Sequence, residues 1–313
     1  MNDRQKDLVI DCRREEQRIV DFVRQAIARL HKKGAVIGLS GGLDSSVCAH
    51  LLVKALGKRR ILALLLPERD SSPVNLRHAR MVADDLGLKT IEVDMTRTLR
   101  DIGVYGIGPG KVEDEEEYAR KIKRRMERNA GAFHYRTYLS DVTGAFRGAP
   151  TSAMWSVAKR LIPKEARAAF MFTKVRLRML YLSFYAWQYD YAVIGTTDKS
   201  EYTAGIYDPH GDGANDITLL RHLYKTQIRR LAEHLGVPGE IIRKPHSADL
   251  YGNLPHETTL GIGYEQLDAL LHAMSKGRAG DRAGAIASRG DLENVKRCVD
   301  NARLMRSLPL SLD

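Results

Sequence analysis

Residues 38–46, with the sequence Gly-Leu-Ser-Gly-Gly-Leu-Asp-Ser-Ser, carry the groups of this chain best suited to chemistry. Glycines let the backbone approach a ligand closely, and amide and hydroxyl groups can hold a phosphate. The carboxylate of Asp44 cannot hold a phosphate directly, because both groups are anions. We therefore predict that Asp44 binds a Mg²⁺ ion that bridges to the phosphate.

A strand and a helix are predicted to position this segment. Ala35-Val36-Ile37 is an apolar run short enough for one buried strand, and residues 47–56 repeat apolar side chains at helical spacing before Gly57. The free N–H groups at the helix start then face the turn and favour an anion. The common phosphate loop is excluded because no Gly-Lys-Ser/Thr ends the segment. The dinucleotide fingerprint is excluded because the third glycine of G-x-G-x-x-G is missing.

Strands and helices alternate along much of the chain. Further strands are predicted at residues 60–67, 89–95 and 191–196, and helices at residues 8–32, 72–86, 164–189, 221–235, 264–274 and 291–306. The alternation predicts an α/β fold, a doubly wound parallel sheet with helices on both faces. Ligands in such folds bind beyond the carboxyl ends of the strands, where the glycine-rich turn lies.

Composition limits the class of protein. With 313 residues the chain can bury a sizeable core. Its formal charge of +11 suits a polyanionic partner, but a basic surface around a nucleotide site explains it as well, and we prefer the second interpretation. No apolar run is long enough for a membrane span and no signal peptide is visible, so we expect a cytoplasmic protein. Cys12, Cys48 and Cys298 are too dispersed for a disulfide framework or a zinc site.

The Ser-Gly-Gly-x-Asp-Ser pattern resembles the pyrophosphate loop of the N-type ATP pyrophosphatases. Five later motifs stand in the order of the ammonia-dependent NAD synthetases: Arg-Leu-Arg-Met at 176–179, Thr-Thr-Asp-Lys-Ser-Glu at 196–201, Gly-Asp-Gly-Ala-Asn-Asp at 211–216, Leu-Tyr-Lys-Thr-Gln at 223–227 and Lys-Pro-His-Ser-Ala-Asp-Leu at 244–250. The chain thus resembles that family over about residues 18–100 and 170–275. The resemblance implies an adenine nucleotide alpha hydrolase-like fold, with ATP and Mg²⁺ as cofactors.

The resemblance also implies a role for each matched residue. The residues implied to bind ATP are Gly38, Leu39, Ser40, Gly41, Gly42, Leu43, Asp44, Ser45, Thr196, Lys225 and Ser247. Asp44 and Glu201 are implied to bind Mg²⁺, and Asp44 and Lys225 to act in catalysis. Arg176 and Asp216 are implied to bind deamido-NAD, with the arginine reaching in from the other subunit of a homodimer.

Each of these residues also has a structural alternative. The alternatives are a helix-start acid (Glu201), solvated helix charges (Lys225, Arg176), a turn cap (Asp216), a helix cap (Ser247) and a strand-end residue (Thr196). The functional interpretation fails if the turn is filled by its own side chains while Glu201 faces away from Asp44.

The implied reaction is amidation of a carboxylate through an acyl-adenylate, with deamido-NAD as the leading acceptor. The chain has no room for a glutaminase domain, so free ammonia or ammonia from a separate glutaminase is expected. Residues 1–100 and 165–275 are predicted to form the ATP pyrophosphatase domain, with residues 101–164 as a helical insertion that could act as a lid. Residues 276–313 are predicted to hold a mobile stretch and a C-terminal helix.

The acceptor side departs from the family pattern. Pro209 stands where the family has a lysine, residues 301–306 lack a His-Lys pair, and the insertion is longer than the family's loop. The same chemistry on another small carboxylate therefore stays open. A transfer-RNA-modifying adenylase is a further alternative, although Cys48 is predicted to be packing, and a nucleotide sensor is another. A homodimer is expected through the helix that carries Tyr181, Phe184, Tyr185, Trp187 and Tyr189.

Overall fold

The computed structural model describes residues 8–107, 164–250, 256–257, 262–277 and 286–307. Its centre is a parallel sheet of β1 (Gly34–Gly38), β2 (Ile61–Leu65), β3 (Lys89–Glu92), β4 (Tyr191–Gly195) and β5 (Ile217–Thr218). The strand order is β3-β2-β1-β4-β5. The chain therefore leaves β1 toward one edge and returns at β4 toward the other, which opens a crevice at the carboxyl ends of these two strands.

Helices enclose the sheet. They are α1 (Cys12–Arg29), α2 (Leu43–Leu56), α3 (Pro73–Leu86), α4 (Thr96–Asp101), α5 (Val104–Ile107), α6 (Lys164–Tyr189), α7 (Lys199–Ala204), α8 (Lys225–Leu235), α9 (Gly239–Arg243), α10 (Tyr264–Ser275) and α11 (Arg289–Arg306), and a 3-10 turn lies at Lys58–Arg60. The predicted doubly wound α/β fold is confirmed.

The alternation of side chains along β1 decides which helices cover each face of the sheet. Ala35 and Ile37 point into a core shared with α1, α2, α3 and α8. Val36 points the other way and packs with Met179 and Leu182 of α6. At β1, both faces of the sheet are therefore apolar and covered, as in other parallel sheets.

Local signals set several helix ends where they were predicted. Proline is the first residue of α3, and Gly87 ends that helix in the left-handed region at φ 59°. Other boundaries were wrong: α8 begins at Lys225 rather than at 221, and α4 and α5 were not predicted. The two-residue strand β5 was also missed, because a strand so short has no readable periodicity.

Parts of the sequence-based predictions fall outside the described residues. These parts are residues 108–163 of the predicted insertion and residues 278–285 of the stretch predicted to be mobile. The division into domains therefore stays a prediction. Cys48 is fully buried, and burial raises the pKa of its thiol well above the usual value, which supports the predicted packing role. Among the described helices, none has the length and apolar character needed to cross a membrane.

Candidate active site

The phosphate loop, residues 38–46, connects β1 to α2 at the carboxyl edge of the sheet. Leu39 N–H donates to the carbonyl of Leu64 at 2.9 Å, which anchors the start of the loop to β2. Gly42 is the residue that precedes α2, and no side chain in the described part of the chain caps that helix. The first N–H groups of α2 are therefore available to an anion.

The serine hydroxyls of the phosphate loop bond within the loop. Ser40 Oγ and Ser45 Oγ are 3.0 Å apart, and Ser46 Oγ donates to the carbonyl of Gly42 at 2.7 Å. The expectation of hydroxyls open to a phosphate is thus met only in part, and the backbone N–H groups are the better anion donors. This internal bonding does not overturn the functional interpretation, because Glu201 and Asp44 point toward the same group, the ammonium of Lys225.

Gly41 is required by the loop for two reasons. Its φ of +69° lies in the left-handed region, and a Cβ atom there would lie 2.1 Å from the carbonyl oxygen of Asn75 on α3. No rotamer change can relieve a clash with backbone, so the loop or α3 must move.

We expect Gly41→Ala to lower the free energy of unfolding by about 2 kcal/mol or more and to weaken ATP binding. Gly236→Ala is the matched control, because Gly236 has φ +79° and no atom of the described residues lies within 4 Å of the position that an added methyl group would take. The control should lose only about 1 kcal/mol, the penalty of the left-handed conformation. Urea unfolding measures the free energy of unfolding of both variants. Equal decreases in the two would contradict the explanation that Gly41 is required by the close approach of Asn75.

Lys225 joins three carboxylates beside the phosphate loop. Its ammonium lies 2.8 Å from Asp44 Oδ2, 2.8 Å from Asp198 Oδ2 and 3.0 Å from Glu201 Oε1, and its side chain is 1% exposed. The alternative of a solvated helix charge is wrong for Lys225. Burial alone would lower the pKa of this lysine, but the three carboxylates raise it well above the usual value.

The backbone of α8 fixes the position of Lys225. Lys225 is the first residue of the helix, and its N–H donates to Ser200 Oγ at 3.0 Å. Ser200 Oγ in turn donates to the buried carboxylate of Asp268 at 2.5 Å, and the same carboxylate accepts from Thr226 N–H at 2.8 Å. The start of α8 is thereby tied to α7 and α10, which carry Ser200 and Asp268.

Asp198 was missed by the sequence analysis, although a local signal marks it. Asp198 and Glu201 form a capping box at the start of α7: Glu201 N–H donates to Asp198 Oδ1 at 2.7 Å, and Asp198 N–H donates to Glu201 Oε2 at 3.3 Å. Glu201 is therefore both a helix-start acid and a partner of Lys225. The capping box turns both carboxylates toward the lysine.

The carboxylate cluster of Asp44, Asp198 and Glu201, when all three groups are ionised, has more negative charge than the single ammonium of Lys225 balances. Burial raises the pKa of Asp198 well above its usual value and raises that of Glu201. Asp44 Oδ1 is buried and has no hydrogen-bond partner among the described residues. These residues fit a divalent cation, because hard carboxylate oxygens and an excess of negative charge are what Mg²⁺ requires.

The described residues contain no group of three or more His, Cys, Asp or Glu side chains arranged to hold a metal ion. Mg²⁺ needs no such cage, since it is usually bound by one or two carboxylates together with the phosphates of a substrate. His256 lines the same region, and burial lowers its pKa to about 4, so it is neutral near pH 7. It therefore adds no positive charge to the carboxylate cluster.

A cleft of about 310 Å³ opens over the phosphate loop. The sequence-predicted residues that line it are Gly38, Leu39, Ser40, Gly42, Leu43, Asp44, Ser45, Thr196, Glu201 and Ser247. Gly41 and Lys225 are buried and do not line the cleft. Ser247 precedes no described helix, so the helix-cap alternative is wrong for it. Lining residues that the sequence analysis did not assign include Arg178, Asp212 and Lys244.

The two residues predicted to bind the acceptor lie outside the lining of this cleft. Asp216 is exposed, and its carboxylate accepts from the N–H of Val193 in β4 at 2.7 Å, which is a structural contact but not the turn cap of the alternative interpretation. Arg176 donates from Nε to Asp208 Oδ2 at 2.7 Å, and its side chain is half exposed. Acceptor binding by these residues stays a prediction, and Arg176 already has a counter-ion in its own chain.

Comparison with known proteins agrees with this geometry. The NAD synthase family model matches residues 15–130 and 151–309. The NH(3)-dependent NAD(+) synthetase of Methanocaldococcus jannaschii is 34% identical over 261 residues, which cover 83% of this chain and 81% of that protein. The enzyme of the same name from Thermotoga maritima is 33% identical over 301 residues, which cover 95% of this chain and 99% of that protein.

Solved structures show the same fold. The NH3-dependent NAD synthetase from Campylobacter jejuni in complex with the nitrate ion has a TM-score of 0.65 at 20% identity and covers 97% of this chain and 100% of its own. The NMN synthetase from Francisella tularensis has a TM-score of 0.68 at 24% identity with the same coverage. Together with the match of the family model over most of the sequence, these similarities show that the chain belongs to the NAD synthase family.

Proposed function

We propose that the protein makes NAD from deamido-NAD, ATP and ammonia and releases AMP and pyrophosphate. The observation that carries this proposal is the meeting of Lys225 with Asp44 and Glu201 beside the phosphate loop, in a chain of the NAD synthase family. The chain is thus an ATP-dependent ligase that forms a C–N bond. ATP is needed because ammonia does not displace the oxygen of a free carboxylate, which is a poor leaving group.

The residues of the cleft suit adenylation of the acceptor. A carboxylate oxygen of the acceptor attacks the α-phosphorus of ATP, the bond to the bridging oxygen breaks, and pyrophosphate leaves. The N–H groups at the start of α2 would hold the phosphates of ATP, and the lack of a side-chain cap at Gly42 supports this role. Asp44 and Glu201 would hold Mg²⁺, which when bound supplies positive charge to the departing pyrophosphate.

Ammonia then completes the reaction. Its nitrogen attacks the acyl carbon of the adenylate, loses a proton and displaces AMP, so no protein nucleophile is needed. Lys225 supports both steps by holding Asp44 and Glu201 in place. Thr196 and Ser247 line the cleft on the side of β4 and α9, in agreement with the proposed contacts to ATP.

The acceptor is tested directly with purified protein, ATP, MgCl₂ and ammonium chloride. Deamido-NAD should yield NAD and pyrophosphate in equal amounts, measured by chromatography. If neither NAD nor pyrophosphate forms, the proposal is wrong. An arm with glutamine in place of ammonium tests whether the chain needs free ammonia, and we expect no product there unless a separate glutaminase is added.

A second candidate is the same reaction on a different small carboxylate. Two residues on the predicted acceptor side favour it. The carboxylate of Asp208 already accepts a hydrogen bond from Arg176, and Pro209 replaces the lysine of the family pattern. Nicotinate mononucleotide, the half of deamido-NAD that carries the carboxylate, is the acceptor to compare. A higher kcat/KM for the mononucleotide than for deamido-NAD would establish this second candidate.

A homodimer is also proposed, through α6. Leu180, Phe184 and Trp187 follow one another at helical spacing and are 64%, 58% and 82% exposed, which is unusual for side chains of this size. Trp187→Glu together with Phe184→Glu should give a monomeric mass by light scattering at micromolar concentration, while Val9→Glu, at another exposed apolar residue, should not. A wild-type monomer would contradict the proposal.

A further inference from the structure

Lys244 is a second lysine at the phosphate loop, and the proposed function gives it no role. It directly follows α9, and its ammonium donates to the carbonyl of Gly41 at 2.8 Å and to Asn75 Oδ1 at 2.5 Å. It lines the cleft together with Ser40 and Asp44. An ammonium has three protons, and these two bonds use two of them, so one proton is left for a further acceptor.

The charge of Lys244 is balanced far less than that of Lys225. Lys225 faces three carboxylates, whereas both acceptors of Lys244 are uncharged amide oxygens. Within the described part of the chain, no carboxylate forms an ion pair with Lys244. The loop therefore has an excess of negative charge on the side of Lys225 and a positive charge on the side of Lys244.

The groups around Lys244 offset this positive charge only in part. Asp249 is the carboxylate that influences it, and burial raises the pKa of Asp249 to about 6 while its Oδ1 accepts from Ser72 N–H at 3.0 Å. His78 on α3 is paired with Glu240 on α9 at 3.0 Å. Burial lowers the pKa of Lys244 from its usual value, and an anion bound beside it would relieve that effect.

We propose that Lys244 binds the pyrophosphate part of ATP and the pyrophosphate that leaves, beside Gly41 of the phosphate loop. This inference rests on the proposed function only in that ATP loses pyrophosphate; it does not depend on the acceptor. Lys225 organises the metal-binding carboxylates, and Lys244 supplies the positive charge that the common phosphate loop takes from its own lysine, which residues 38–46 lack.

Lys244 also connects the end of α9 to the phosphate loop through its hydrogen bond to Gly41. The test must therefore separate the loss of the positive charge from the loss of this hydrogen bond. Lys244→Gln can still donate to the carbonyl of Gly41 but has no charge, and Lys244→Arg keeps the charge. Arg243→Met is the matched control, because Arg243 is the exposed neighbour on the same helix end. Isothermal titration calorimetry of the full chain with inorganic pyrophosphate in MgCl₂ gives the dissociation constant, and AMP is titrated in parallel.

Lys244→Gln should weaken pyrophosphate binding about 10- to 100-fold and AMP binding less than about two-fold. Lys244→Arg should stay within a few-fold of the wild type, and Arg243→Met should be unchanged. Equal weakening of pyrophosphate and AMP in Lys244→Gln, or full retention of pyrophosphate affinity, would overturn the proposal. Because no acceptor is present, the result is independent of whether deamido-NAD is the substrate.

Discussion

Lys225→Met is expected to lower the free energy of unfolding by about 3–5 kcal/mol and to abolish amidation. The substitution leaves Asp198, which is fully buried, and the largely buried Asp44 and Glu201 without a positive charge. Removing one partner of a buried ion pair is costly because the remaining charges keep their desolvation penalty. Urea unfolding in the absence of Mg²⁺ measures the loss of stability, and pyrophosphate release measures the loss of activity.

The control for this experiment is Lys54→Met, which removes a lysine with a surface partner. Lys54 lies 2.8 Å from Glu16, and both side chains are partly exposed, so a loss of less than about 1 kcal/mol is expected. Adding Asp198→Asn to Lys225→Met should restore part of the lost stability, since one uncompensated charge is removed. A Lys225→Met protein as stable as the Lys54→Met protein would show that the carboxylate cluster is not held by Lys225.

Local sequence signals were sufficient for the first half of the site. The apolar run of β1, the glycine-rich turn and the periodicity of α2 all lie within residues 34–56, and each signal acts over a few residues. The capping box of Asp198 and Glu201 is equally local, yet it does not mark Asp198 as part of the site, because capping a helix is a sufficient role for an aspartate at that position. Its contact with Lys225 gives it a second role.

Long-range pairings could not be predicted from periodicity. Lys225 and Asp44 are 181 residues apart, and Lys244 and Gly41 are 203 residues apart. Motif resemblance placed Lys225 near the phosphates but not among three carboxylates, since a motif names a residue and not its neighbours. The pairing of Arg176 with Asp208 was missed for the same reason, although Pro209 beside it was recognised as a departure.

Asp44→Asn is expected to separate activity from stability. Asn cannot supply the anionic oxygen that Mg²⁺ requires, so the rate of amidation should fall by about 10³-fold or more, because charge stabilisation by a bound metal contributes several kcal/mol. The amide keeps an oxygen for the Lys225 ammonium, which now lies 2.8 Å from Asp44 Oδ2. The substitution also removes one negative charge from a cluster that has too many.

The free energy of unfolding of Asp44→Asn without Mg²⁺ should therefore equal that of the wild type within about 1 kcal/mol or exceed it. Stabilisation by MgATP, measured as the shift in melting temperature, should be lost. Asp21→Asn on the exposed side of α1 is the control and should retain both the shift and the rate. A large loss of stability in Asp44→Asn would mean that the main role of Asp44 is its ion pair with Lys225. Other groups would then have to bind the Mg²⁺ ion. Retained stability with lost activity would instead show that the excess charge beside the phosphate loop is kept for the cation that accompanies ATP.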